Sequence, residues 1–143
     1  MNKLRLYIAL VAVTFSSVVF ASDRSILFLQ QETPGHIIYV SLNEKGSRAI
    51  VSVEGLGASK VKEQGVIPIK EFENIWDIAN SKSVMKFKIP EGAEKNMADP
   101  KYYTVNIGGD GKSKVNIQIP VTEKRGVVGD FVKKLKKFIP AKS

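Results

Sequence analysis

The sequence contains no cysteine and a single histidine, His36, and these two scarcities remove more chemistry than any residue present supplies. Without cysteine there is no disulfide, no thiolate nucleophile, no cysteine zinc site and no lipid-modified cysteine. With one histidine, a multi-histidine metal centre within one chain is excluded as well. After residue 21, leucine and alanine are also scarce, 5 and 6 against 25 valine and isoleucine. Residues branched at Cβ are stiff at χ1 and suit a pleated surface better than a helix, so the composition predicts a strand-rich domain. At 143 residues, 25% charged and 43% hydrophobic, the chain has the size and balance of one globular domain, neither a multidomain enzyme nor a disordered tail.

The N-terminal stretch follows an export pattern. Lys3 and Arg5 form a basic start, Leu6 to Phe15 an apolar run, and Val19-Phe20-Ala21 a small-residue site of the kind a signal peptidase reads. Thr14, Ser16 and Ser17 interrupt the run, which falls short of the roughly 20 apolar residues of a spanning helix. The expectation is a secretory signal peptide over 1–21, a single domain over 22–143 and no transmembrane segment once the signal is removed. Lys3 and Arg5 leave with it, taking the net charge from +8 to +6. A periplasmic or secreted location follows. Nucleic acid is scarce there, so the excess of base is read against a protein partner or an anionic envelope component.

Alternation places the strands. Met85, Phe87 and Ile89 alternate with Lys86 and Lys88; Tyr103, Val105 and Ile107 with Thr104 and Asn106; Val115, Ile117, Ile119 and Val121 with Asn116, Gln118 and Pro120. Upstream, runs over 26–31, 37–42 and 48–53 are joined by Thr33-Pro34-Gly35-His36 and Asn43-Glu44-Lys45-Gly46, where proline presets φ and glycine supplies positive φ. Gly108-Gly109-Asp110-Gly111 is a further hairpin connection. Two segments keep helical period: Ile69, Phe72, Ile75, Trp76 and Ala79 after Pro68, and Val128, Phe131, Val132, Leu135, Phe138 and Ile139 before Pro140. The predicted fold is α+β, an antiparallel sheet of about six strands in the order β-β-β-α-β-β-β-α with two helices on one face. Residues 54–65 and 90–100 are left as irregular stretches, the loops through which a protein-binding module is expected to contact its partner.

Catalytic and cofactor motifs are refused on spacing. Gly111-Lys112-Ser113 ends like a phosphate-binding loop, but Asn106 stands where the opening glycine belongs and no helix follows. Gly55-Leu56-Gly57-Ala58-Ser59-Lys60 begins like a dinucleotide fingerprint, yet Lys60 replaces its third glycine. His36 flanks a turn, and no serine sits in a nucleophile-elbow pattern. The carboxylates Glu71, Glu73, Asp77, Glu91, Glu94, Asp99 and Asp110 lie in polar surroundings that would not raise a pKa for acid catalysis. No enzyme, cofactor or metal is expected.

The surface candidates are basic. Lys60 and Lys62 sit in the first irregular stretch, and Lys133, Lys134, Lys136 and Lys137 form one side of the closing helix. That helix either docks its apolar stripe on the sheet, leaving a charged ridge, or lies in an anionic membrane interface. Docking is the expected state. The layout itself, an early strand hairpin, a helix over Ile69 to Ala79, an acidic loop, the Tyr102-Tyr103-Thr104-Val105 strand, the Gly108 to Gly111 turn, the Val115 to Val121 strand and a closing amphipathic helix, resembles the emfourins. These are small single-domain inhibitors of thermolysin-type metalloproteases of the protealysin kind. The resemblance implies a protein-binding, inhibitor-like module and assigns no site residue. Intact-mass measurement of protein recovered from the cell envelope checks the export segment: a mass beginning at Ser22 is expected, and one retaining Met1 to Ala21 contradicts it.

Overall fold

The apolar side chains that alternate along the chain all reach the same face of one sheet. The computed structural model describes residues 23–33, 36–57, 62–87, 101–109 and 111–140. Its strands are β1 (Ser25–Thr33), β2 (His36–Lys45), β3 (Arg48–Gly57), β4 (Lys62–Pro68), β5 (Tyr102–Gly109) and β6 (Lys112–Pro120). They form one six-stranded antiparallel sheet in the order β4-β3-β2-β1-β5-β6. Ile26 pairs with Leu42 on one side and Ile107 on the other, and Phe28 with Val40 and Val105. The same rows continue to Val51 and Val53 in β3 and to Val115 and Ile117 in β6. Because side chains alternate across a strand, this register puts every one of these residues on one face.

Three helices cover that face: α1 (Ile69–Ala79), α2 (Lys82–Met85) and α3 (Gly126–Lys136). Phe72, Ile75, Trp76 and Ala79 of α1, Val84 of α2, and Val128, Phe131, Val132 and Leu135 of α3 join the sheet's apolar rows in a single buried cluster. Phe28, Phe72 and Phe131 have no exposed surface. The helix ends have local causes. Pro68 precedes α1 in extended conformation, where its missing N–H is no loss. Ser81 serves two helices, its Oγ donating to the Ile78 carbonyl at 2.6 Å and accepting the Val84 N–H at 3.4 Å. Gly129, on the buried side of α3, lies so close to Lys124 that a Cβ there would collide with the Lys124 backbone.

The fold class is α+β with a six-stranded antiparallel sheet, as the periodicity predicts, but the order of elements differs at two places. It runs β-β-β-β-α-α-β-β-α, not β-β-β-α-β-β-β-α. The stretch expected to be irregular over 54–65 extends β3 to Gly57 and opens β4 at Lys62. β4 carries no alternation because, as an edge strand, it is exposed at every residue but Ile67. The strand expected over Met85 to Ile89 is corrected at its start. Met85 closes α2, Lys86 caps it, and the Phe87 N–H donates to the Val84 carbonyl at 3.1 Å. Ser81 provides a helix start there, and turning the chain brings Val84 into the core. Lys88 and Ile89 lie outside the described residues, as do the expected export segment and residues 90–100.

The closing helix is docked. Phe131 and Leu135 are fully buried, while Lys133, Lys134, Lys136 and Lys137 are exposed. Among the described residues no helix is long and apolar enough to cross a membrane. Trp76→Ala and Phe131→Ala are each expected to lower stability by about 3 to 5 kcal/mol, the cost of deleting a large buried aromatic. Lys133→Gln with Lys137→Gln should change it by about 0.5 kcal/mol or less. Chemical denaturation measures both.

Candidate functional site

The face of the sheet turned away from the helices is built by the other half of each strand. One cross-strand row runs Val66, Ile50, Asn43, Ser25 and Gly108; the next runs Gln64, Ser52, Ser41, Leu27, Asn106 and Asn116; a third runs Lys62, Glu54, Tyr39, Leu29, Thr104 and Gln118. No residue of these rows belongs to the apolar cluster under the helices. Leu29, Thr104 and Gln118 are buried, but towards β3 and β4 the face opens. Leu56 and Val66 are 42% and 57% exposed there, and Leu27, Ile37, Tyr39 and Ile50 are half-buried.

At one end of this face lies a cleft of about 710 Å³, bounded by the start of β1, the β2–β3 turn and the β5–β6 hairpin. Ser25, Asn43, Ser52 and Gln64 contribute to its wall, with the ammonium-bearing Lys45 and Lys114 at the rim. Asn43 Nδ2 donates to Ser41 Oγ at 2.7 Å, fixing the amide on the floor. Gly109 holds φ at +109°, and a Cβ on it would strike the backbone of Asp23. The hairpin therefore closes against the entry of β1 only because glycine occupies that position. The lining mixes the neutral Ser25, Asn43, Ser52 and Gln64 with the charged Asp23, Arg24, Glu44, Lys45 and Lys114, which suits recognition of a polar partner by hydrogen bonds and charge.

Beside the cleft, Arg24 is committed to structure. Its Nε and Nη2 donate to the two carboxylate oxygens of Glu44 at 2.7 and 3.1 Å, its backbone N–H donates to Glu44 Oε2 at 3.2 Å, and Nη2 lies 3.6 Å from Glu73 Oε1. The guanidinium also stands 5.3 Å from the Phe72 ring centre and 5.6 Å from that of Trp76. A planar fork with its charge spread over both aromatics is what arginine, and not lysine, supplies. The hydrogen bonds from Arg24 hold the Glu44 carboxyl below its ordinary pKa, and the Glu44 carboxylate raises that of Arg24. This cluster ties the start of β1 to the end of β2 and to α1.

The residues singled out from the sequence do not converge. Lys62 lies on the open face of β4 opposite Glu54, whereas Lys133, Lys134, Lys136 and Lys137 ride on α3 across the sheet. Lys136 alone turns back, its Nζ 3.4 Å from Tyr103 Oη and 5.5 Å from the ring centre. Lys60 lies outside the described residues, with Glu91, Glu94, Asp99 and Asp110. Of the other carboxylates, Glu73 is drawn to Arg24 and Asp77 is exposed. His36 opens β2, paired with Thr33 and Gly57 away from the cleft. Among the described residues no three His, Asp or Glu side chains are grouped to hold a metal. The cleft residues escaped the sequence reading because they belong to separate strands and meet only through register; their sole local signal is the short polar side chains at outward positions.

No protein-family model matches the chain, and comparison with curated proteins likewise finds no match.

The Arg24–Glu44 pair makes stability depend on acid. Glu44 has a lowered folded-state pKa, so its contribution is present above the unfolded value of about 4.3 and is lost as pH falls through the depressed one. Glu44→Gln should cost about 1.5 to 3 kcal/mol near neutrality, the range for hydrogen bonds to charged groups. The gap from wild type should shrink as pH falls below the unfolded value of about 4.3. Denaturant midpoints across pH 3 to 7 check it, and a gap constant with pH contradicts it.

Proposed function

We propose that this chain is a non-catalytic binding protein, working outside the cytoplasm, that engages a protein partner with the helix-free face of its sheet. The observation that carries the reading is the apolar surface turned outward on β2, β3 and β4: Ile50 lines the cleft with Val66 beside it, Tyr39 lies further along, and Leu56 and Ile37 stand at the other end, Leu56 and Val66 being exposed. Ser41, Ser52, Gln64, Glu54 and Lys62 stand between them, so apolar and polar groups share the face as they do in a protein interface of ordinary polarity. A protease is the partner class that the resemblance of the sequence layout to the emfourins implies.

A second reading draws on the exposed Lys133, Lys134 and Lys137, which make α3 a basic ridge for anionic lipid or envelope polymer. The two differ in salt response, because exposed charges are screened over about 8 Å at physiological ionic strength while apolar contact is not. Purified protein immobilised and exposed to envelope extract at low and high salt separates them. Salt-resistant retention of a protein is expected, weakened about tenfold or more by Tyr39→Ala, since a tyrosine at the centre of an interface is a frequent anchor. Lys133→Gln with Lys137→Gln should leave it unchanged. Retention abolished by salt and by the lysine pair would establish the ridge as the binding surface instead.

A further inference from the structure

The two edges of the sheet are treated differently. On β6 the Gln118 N–H points away from β5 and donates to the Phe87 carbonyl at 3.1 Å, so the chain itself covers that edge. On β4 no described residue does the same, and Lys62 to Val66 are exposed. The backbone pattern shows which edge groups no described residue meets. The Ile69 N–H donates to the Ser47 carbonyl at 3.3 Å, and Pro68, opposite Arg48, has no N–H to give. In an antiparallel ladder hydrogen-bonded pairs alternate. Hence Ile67, Gly65 and Glu63 bond to β3, while Gln64 and Val66 aim N–H and C=O outward.

A groove flanks this edge on each face. On the helix side about 230 Å³ is bounded by Val51, Val53, Ile67 and Phe138; on the open side about 340 Å³ is bounded by Ile50, Val66, Gln64 and Arg48. Gly65 has no atom within 4 Å of where a Cβ would be, which leaves room for a neighbouring strand's side chain on the helix side. Arg48 is exposed and forms no ion pair among the described residues. Two strands away, at roughly 10 Å between backbones, a glutamate on an added strand reaches its guanidinium. Lys62, at the other end of the strand, already stands opposite Glu54, and Glu63 borders the helix-side groove, so Arg48 is the cation the edge leaves for a partner's carboxylate.

We propose that the edge of β4 receives an extended segment of the partner as a seventh strand, with branched apolar side chains in the Phe138 groove and a carboxylate towards Arg48. The proposal rests on the reading of the chain as a protein-binding module and names the form its partner presents. Main-chain hydrogen bonds to Gln64 and Val66 supply affinity, and the two grooves read alternate side chains.

A labelled peptide alternating Glu and Val, with one alternating Lys and Val as its charge control, tests this by fluorescence anisotropy on the full chain. Binding of the Glu-Val peptide is expected, at least tenfold tighter than that of the Lys-Val peptide, with slowed hydrogen exchange at the amides of Gln64 and Val66. Val66→Pro removes an outward N–H and no ladder bond within the fold, and should abolish binding; Arg48→Glu should erase the preference for Glu. Equal binding of both peptides, binding that survives Val66→Pro, or no protection at Gln64 and Val66 overturns the proposal. So does concentration-dependent dimerisation abolished by Val66→Pro, which would make a second copy the occupant. In the envelope extract, retention lost with Tyr39→Ala but kept with Val66→Pro sinks the edge alone, whereas retention indifferent to both sinks the protein-binding reading too.

Discussion

The burial of one apolar sheet face under two amphipathic helices is the constraint from which the other features follow. Phe28 on β1 and Phe72 and Phe131 on the helices are without exposed surface within one cluster. Each such side chain contributes about 1.5 to 3 kcal/mol by leaving water, a substantial part of the 5 to 15 kcal/mol that holds a typical domain together. With period-two strands the same arrangement dictates the opposite face: whatever alternates with the core must point away from the helices. The polar floor of Ser25, Ser41, Asn43 and Ser52 is the complement of Ile26, Val40, Leu42, Val51 and Val53.

The pattern was legible wherever burial is one-sided. β2 and β3 alternate because each has one dry face and one open face, and α1 and α3 show a stripe because each has one dry side, whereas β1, β5 and β6 also bury Leu29, Thr104 and Gln118 on the second face. β4 was illegible for the opposite reason. Lys62-Glu63-Gln64-Gly65-Val66 is exposed on both faces, so nothing selects alternate apolar residues, and its pairing to β3 is made by backbone groups that any sequence supplies. Alternation across Met85 to Ile89 spanned too few residues to outweigh the capping serine at 81 and the burial of Val84. Short runs are where period loses to local capping.

The candidate site was harder to foresee than the fold because it is assembled by register. Arg24 and Glu44 are 20 residues apart, and only the β1–β2 pairing brings the fork onto the carboxylate. Once there, Arg24 reaches across to Phe72 and Trp76, so strand pairing and helix docking share one side chain. Net charge was equally mute on this point. It counts Arg24 with the lysines, although the structure spends that guanidinium internally while Lys133, Lys134 and Lys137 remain in water.

The docked state of α3 also limits what its lysines do. For the helix to enter a membrane interface with its apolar side, Val128, Phe131, Val132 and Leu135 would have to leave the core together. Those four would be reburied in lipid, but the sheet side chains of the same cluster would then meet water at about 1.5 to 3 kcal/mol each, a loss comparable to the whole stability of an ordinary domain. The fold would open before the helix inserted. Any role for the basic ridge is thus electrostatic and reversible, at roughly 1 kcal/mol per lysine near an anionic surface and weakened by salt. A protein partner on the opposite face makes no such demand. It would cover side chains that already lie outside the core, Leu56, Val66 and Tyr39 among them. Binding there leaves both the helices and the Arg24–Glu44 pair undisturbed.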